Sequence, residues 1–121
     1  PGTRAARAYG TELVRERHRH RFEVNPVFLP QLQAGGLVVS GVYTQRDLVD
    51  IAELAGHRFM VGSQFHPEFK SRPLVPHPLF REFVAAANEV RLERERMAIG
   101  GPAGGGADDG PARTDPDVGG P

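Results

Sequence analysis

The sequence predicts an α/β fold, in which short apolar strands precede one long amphipathic helix. Three observations carry this expectation. Apolar runs of strand length recur at Leu37–Tyr43, Leu48–Leu54 and Arg58–Gln64, separated by polar or glycine-containing turns. From Pro78 onward, Leu79, Phe80, Phe83, Val84, Ala87 and Val90 fall at helical spacings and make one apolar stripe. Beyond Gly100 the chain is almost only Gly, Pro, Asp and Ala, with too little apolar surface to offset chain entropy.

The elements follow in order. Residues 1–10 carry little pattern. Glu12 to Val24 mixes charge with β-formers; His18, His20, Phe22 and Val24 share one parity and Arg17, Arg19, Arg21 and Glu23 the other, so period two predicts a strand. Asn25 as N-cap and Pro26 at the first helical position open a short helix to about Ala34, and Gly35-Gly36 stops it. The next two runs read as a hairpin across the polar turn Thr44–Asp47, with Gly56-His57 turning the chain into the third strand. Pro73, Pro76 and Pro78 forbid regular structure after Lys70 and predict a stiff extended loop. The apolar stripe of the last helix is expected to be core, and its charged extension Glu89–Arg96 to fray. Residues 1–97 are thus the folded part and 98–121 a disordered Gly/Pro-rich tail.

Composition narrows the function. The 121 residues carry 15 Lys+Arg against 15 Asp+Glu, and this balance points to no nucleic acid and no membrane surface. The Arg17/Arg19/Arg21 row resembles a nucleic-acid stripe, but Glu16 and Glu23 interrupt it. No apolar run approaches a bilayer span. The chain has no cysteine, hence no disulfide framework and no thiolate metal site. His18 and His20 can chelate in principle, yet no third ligand at matching spacing accompanies them, so no metal is expected. The chain opens Pro1-Gly2-Thr3 without an initiator methionine, and it is expected to be the C-terminal piece of a longer, cytoplasmic protein.

Chemistry concentrates in Gln64-Phe65-His66-Pro67-Glu68-Phe69. It follows a strand, and in extended backbone residues i and i+2 point the same way. Pro67 fixes its own φ and biases His66 to extended geometry. His66 and Glu68 can therefore face one pocket as a base and the acid that orients it, two parts of a nucleophilic triad. The nucleophile is not evident: Ser40, Ser63 and Ser71 lie in no Gly-x-Ser-x-Gly elbow.

Three blocks carry a resemblance: Glu16-Arg17-His18-Arg19-His20-Arg21-Phe22-Glu23-Val24-Asn25, then Gln64 through Pro73, then His77-Pro78-Leu79-Phe80. Together, over residues 1 to about 87, they resemble the C-terminal end of the CTP synthase family, within its triad-type (class I) glutamine amidotransferase domain. The resemblance implies a mixed-sheet α/β amidotransferase fold, of which residues 1–97 are the C-terminal part. It implies that a cysteine outside this chain attacks the side-chain amide of glutamine, with His66 moving the proton and Glu68 holding the imidazole. It implies that the released ammonia aminates UTP to CTP, using ATP and Mg2+ bound in a synthetase domain, with GTP as allosteric effector and a homotetramer as the assembly. No cofactor is expected in this piece. The family's glutamine-binding arginine falls on Arg21, whose planar fork suits an α-carboxylate. The family usually has tyrosine where this chain has Phe22. A degenerate amidotransferase-like domain that binds or scaffolds without catalysis is the alternative, and the residue at the upstream nucleophile position discriminates the two.

Overall fold

The computed structural model describes residues 2–99. Helix α1 (Arg4–Tyr9) comes first; a 3-10 turn at Pro26–Phe28 runs into α2 (Leu29–Ala34); strands β1 (Leu37–Tyr43), β2 (Leu48–Leu54) and β3 (Val61–Ser63) follow; a second 3-10 turn spans Pro67–Phe69; and α3 (Pro78–Ile99) ends the described chain. The tail expected from residue 98 lies, from Gly100 on, outside the described residues. No described helix is long and apolar enough to cross a membrane.

The strands pair antiparallel in the order β1-β2-β3. They supply an antiparallel stretch of the mixed sheet that the resemblance implies. β1 and β2 have the predicted bounds, because the polar turn between them leaves the flanking apolar runs in register from Leu37↔Leu54 to Tyr43↔Leu48. The register slips beside Gly41. A Cβ there would lie 2.7 Å from Ile51 Cγ1, so the crossing needs glycine. Asp47 closes the turn with φ 53°, a left-handed conformation that Asp tolerates. The third strand is shorter than the predicted Arg58–Gln64. Pairing is confined to Val61–Ser63, extended by single bonds from Leu54 N to Met60 O and from Gln64 N to Asp50 O.

Glu12–Val24 does not form the expected strand. It runs irregular and mostly exposed, with one isolated bridge, His18↔Phe65. Period two can mark an extended segment, but a strand also needs a partner along its length, and among the described residues that bridge is the pairing this segment makes. The rings of His18 and His20 do share a side, with centroids 5.5 Å apart. The proline-rich loop is a turn rather than an extended run: Arg72 and Val75 exchange both backbone hydrogen bonds at 3.1 Å.

Helix α1 was not legible in the pattern of residues 1–10. It is short and held by caps. Thr3 Oγ1 accepts from Ala6 N at 3.2 Å, and the buried Glu53 carboxylate on β2 accepts from Arg4 N at 2.9 Å and Ala5 N at 3.1 Å. An acid at a helix N-terminus satisfies donors that have no partner inside the helix. Ala5 and Ala8 then meet Ile51, Phe65 and Leu79 in a small core, with Tyr9 and Val61 at its edge. Of the predicted stripe on α3 only Leu79 is buried. Phe80 and Phe83 are 39% and 57% exposed, although α1 packs against the helix and the Phe59 ring centroid lies 6.0 Å from that of Phe83. The charged extension continues as helix to Ile99, with Arg91 paired to Glu95 at 2.6 Å one turn on.

Candidate active site

Strand β3 ends against the segment at 15–18, and this junction sets the site. Phe65 is buried in the core, which pins the chain on one side of His66. The His66 amide donates to Arg17 O at 3.0 Å, and His66 itself is extended, with φ −107° and ψ 91°. Pro67 opens the following 3-10 turn, closed by Phe69 N donating to His66 O at 3.2 Å. The turn brings Glu68 back toward its neighbour, so that His66 Nδ1 and Glu68 Oε1 are 2.7 Å apart.

A carboxylate only accepts, so Nδ1 carries the proton and donates it to Glu68. In the neutral imidazole the lone pair then lies on Nε2, which has no hydrogen-bond partner among the described residues. That is the arrangement a general base requires. The hydrogen bond from His66 holds the Glu68 carboxyl below the usual carboxylate range, and a backbone hydrogen bond adds to the effect. Phe69 stacks on the imidazole with centroids 5.1 Å apart, and the Arg17 guanidinium lies 5.8 Å over the Phe69 ring. His66 and Glu68 remain open, with side chains 41% and 54% exposed.

Arg21 is not brought to this pair by any contact. It lies exposed on the irregular segment, with no side-chain hydrogen bond or ion pair among the described residues. His18 and His20 are otherwise engaged. His18 Nε2 donates to Asp50 Oδ1 at 2.7 Å, and His20 Nδ1 donates to Phe22 O at 3.0 Å. Among the described residues no group of three or more His, Asp or Glu side chains is placed to hold a metal ion.

A second polar group is built by Tyr9, Glu16 and His77. Tyr9 Oη donates to Glu16 Oε1 at 2.8 Å, and His77 Nε2 reaches the same oxygen at 3.0 Å. The side chains of Glu16 and His77 are 3% and 1% exposed. Burial, and next Glu16, push the Tyr9 hydroxyl well above the ordinary tyrosine range. His77 also caps the entry to α3, its Nδ1 accepting from Leu79 N at 3.2 Å. Glu16 carried no signal in sequence, where it is one charge in a charged run.

The family model described as glutamine amidotransferase class-I matches residues 2–86. The chain belongs to the class-I glutamine amidotransferase family. Among curated relatives, this amidotransferase chain is 57% identical over 108 residues to the CTP synthase of Rubrobacter xylanophilus, covering 89% of the chain and 19% of that protein. It is 59% identical over 95 residues to the CTP synthase of Symbiobacterium thermophilum, covering 78% and 18%. The chain thus spans under a fifth of the length of these relatives. Among solved structures it resembles a Trypanosoma brucei CTPS glutaminase domain with bound acivicin, at TM-score 0.64 and 37% identity, over 73% of this chain and 35% of that one.

Proposed function

We propose that this chain is the C-terminal part of the glutaminase domain of a CTP synthase, and that it supplies the base and the orienting acid of a Cys-His-Glu triad. The hydrogen bond between His66 Nδ1 and Glu68 Oε1 carries the reading. It leaves Nε2 free to take a proton from a thiol and return it to the leaving ammonia. The nucleophilic cysteine would come from another part of the longer protein, since this sequence has none. Attack on the glutamine amide gives a thioester and ammonia, and water then releases glutamate. The acivicin held by the Trypanosoma brucei domain is a glutamine analogue, which supports glutamine as the substrate here. Arg21 would hold its α-carboxylate, for which a guanidinium offers two parallel donors. Ammonia would then aminate UTP in a synthetase part that binds ATP and Mg2+, beyond the residues of this chain.

The test uses the longer protein. His66→Ala is expected to abolish glutamine-dependent CTP formation and to spare the reaction run on free ammonia, which needs no amide hydrolysis. Loss of both activities would make His66 structural. Unchanged glutamine use would remove His66 from the chemistry, and no glutamine use by the unaltered protein would favour a domain without catalysis.

A further inference from the structure

We propose that Glu16, clasped by Tyr9 and His77, is a positioning residue for His66; it holds the backbone segment whose carbonyl orients that histidine. The proposal rests on the glutaminase reading given above. Glu16 occupies the middle of a zipped stretch. Lys70 Nζ donates to Arg15 O; Arg17 O accepts from His66 N at 3.0 Å; His18 bridges Phe65; and Arg17 lies over Phe69, which itself stacks on His66. Four successive residues, 15 to 18, therefore meet the short stretch 65–70 or the buried residues behind it. Only Glu16 among them has a side chain sunk out of solvent.

The clasp is a three-way contact. His77 Nδ1 accepts the Leu79 amide, so Nε2 bears the proton, and it lies 3.0 Å from Glu16 Oε1 and 3.2 Å from Tyr9 Oη. Tyr9 Oη donates to the same oxygen. The other oxygen, Oε2, has no hydrogen-bond partner among the described residues, and Lys70 Nζ lies 3.8 Å from it. A buried acid with one bare oxygen is a poor way to gain stability, since apolar replacements of such groups are often neutral or better. What it does fix is place: α1 through Tyr9, α3 through His77, and between them the segment that meets His66. Without the peg, the Arg17 carbonyl loses its fixed position, and the His66 ring loosens with it. A displacement of about 1 Å in a catalytic group costs on the order of a hundredfold in rate.

The experiment separates the two ends of His77 in the longer protein. Asn at 77 can accept from the Leu79 amide but cannot reach Glu16. Gln at 77 can donate to Glu16 but gives up the Leu79 contact. His77→Asn is expected to lower kcat with glutamine by about tenfold to a hundredfold and to change KM for glutamine by less than about threefold. His77→Gln should recover most of that loss, and ammonia-dependent synthesis should be unchanged in both. Tyr9→Phe, which removes one hydroxyl, should move kcat in the same direction if the His77 variants do not fold. Equal losses in the Asn and Gln variants, losses shared by both nitrogen sources, or a fully active His77→Asn would each overturn the positioning role. A His66→Ala protein that still uses glutamine would overturn the glutaminase reading itself.

Discussion

His66 donates its Nδ1 proton to Glu68 at 2.7 Å across a single proline, and the pair keeps Nε2 of His66 unengaged among the described residues. The geometry follows from local rules. The strand ends in a buried Phe65, Pro67 starts a tight turn, and the side chain two residues on swings back to its neighbour. Replacing Glu68 by Gln keeps an oxygen that can accept from Nδ1 but removes the charge that favours the imidazolium. Glu68→Gln is therefore expected to lower glutamine-dependent kcat, yet by roughly one to two orders of magnitude less than His66→Ala. Steady-state kinetics of the two variants with glutamine checks the ranking; a Glu68→Gln loss as large as the histidine's would make the charge indispensable.

The isolated chain should not hydrolyse glutamine. It contains the dyad but no thiol for the dyad to activate. Purified chain incubated with glutamine should release ammonia no faster than buffer. Turnover that His66→Ala removes would mean another nucleophile serves, with Ser63 and Ser71 the nearest in sequence.

Gly41→Ala should destabilise the sheet. A methyl group at 41 would sit 2.7 to 2.9 Å from three side-chain atoms of Ile51, itself a core residue. Overpacking of this kind costs about 1–3 kcal/mol. Chemical denaturation of the longer protein should show the loss, and the double variant Gly41→Ala/Ile51→Val should recover part of it by removing the δ carbon. A neutral single variant would mean the register slip beside Gly41 relaxes freely.

These residues also show what was legible. The hairpin could be read to its ends because alternation, turn chemistry and length agree there. The contact between His66 and Glu68 could be read because it spans only three residues, the middle one a proline. Glu12–Val24 misled because its alternation is real while no strand pairs along it among the described residues, and pairing is a property of the fold. Helix α1 was hidden for a related reason: its N-terminus is satisfied by Glu53, whose position across the fold no local pattern reports. Glu16 escaped notice because a buried acid and an exposed one look alike in a charged run.

The Arg58–Glu93 pair gives a pH test. Two parallel contacts at 2.7 and 2.8 Å join the turn after β2 to α3. The hydrogen bond from Arg58 holds the Glu93 carboxyl below its ordinary value, and Glu93 in turn raises Arg58. A folded-state value below the unfolded one stabilises above the unfolded value and loses that contribution as pH falls through the folded one. Both side chains are largely exposed, so the effect is small and weakened by salt. Melting curves of the wild type and Glu93→Gln should differ slightly near about pH 7 and converge toward about pH 3. A gap that widens on acidification would contradict the assignment.

Arg21 provides the test of substrate binding. Its guanidinium is exposed and without a partner among the described residues, while its neighbours His18 and His20 are tied to Asp50 and to the backbone. If it holds the α-carboxylate of glutamine, Arg21→Ala should cost roughly 2–5 kcal/mol in kcat/KM for glutamine, the range for truncating one partner of a desolvated charge pair. The carboxylate end is remote from the scissile amide, so the loss should appear mainly in KM, and ammonia-dependent synthesis should survive. Arg21→Lys should rescue only in part, because an ammonium cannot offer two parallel donors to one carboxylate. The measurement is kcat and KM for both nitrogen sources in both variants. Equal losses with glutamine and ammonia would instead make Arg21 a contact between parts of the longer protein, and full rescue by lysine would leave charge alone, without the fork, as what the site requires.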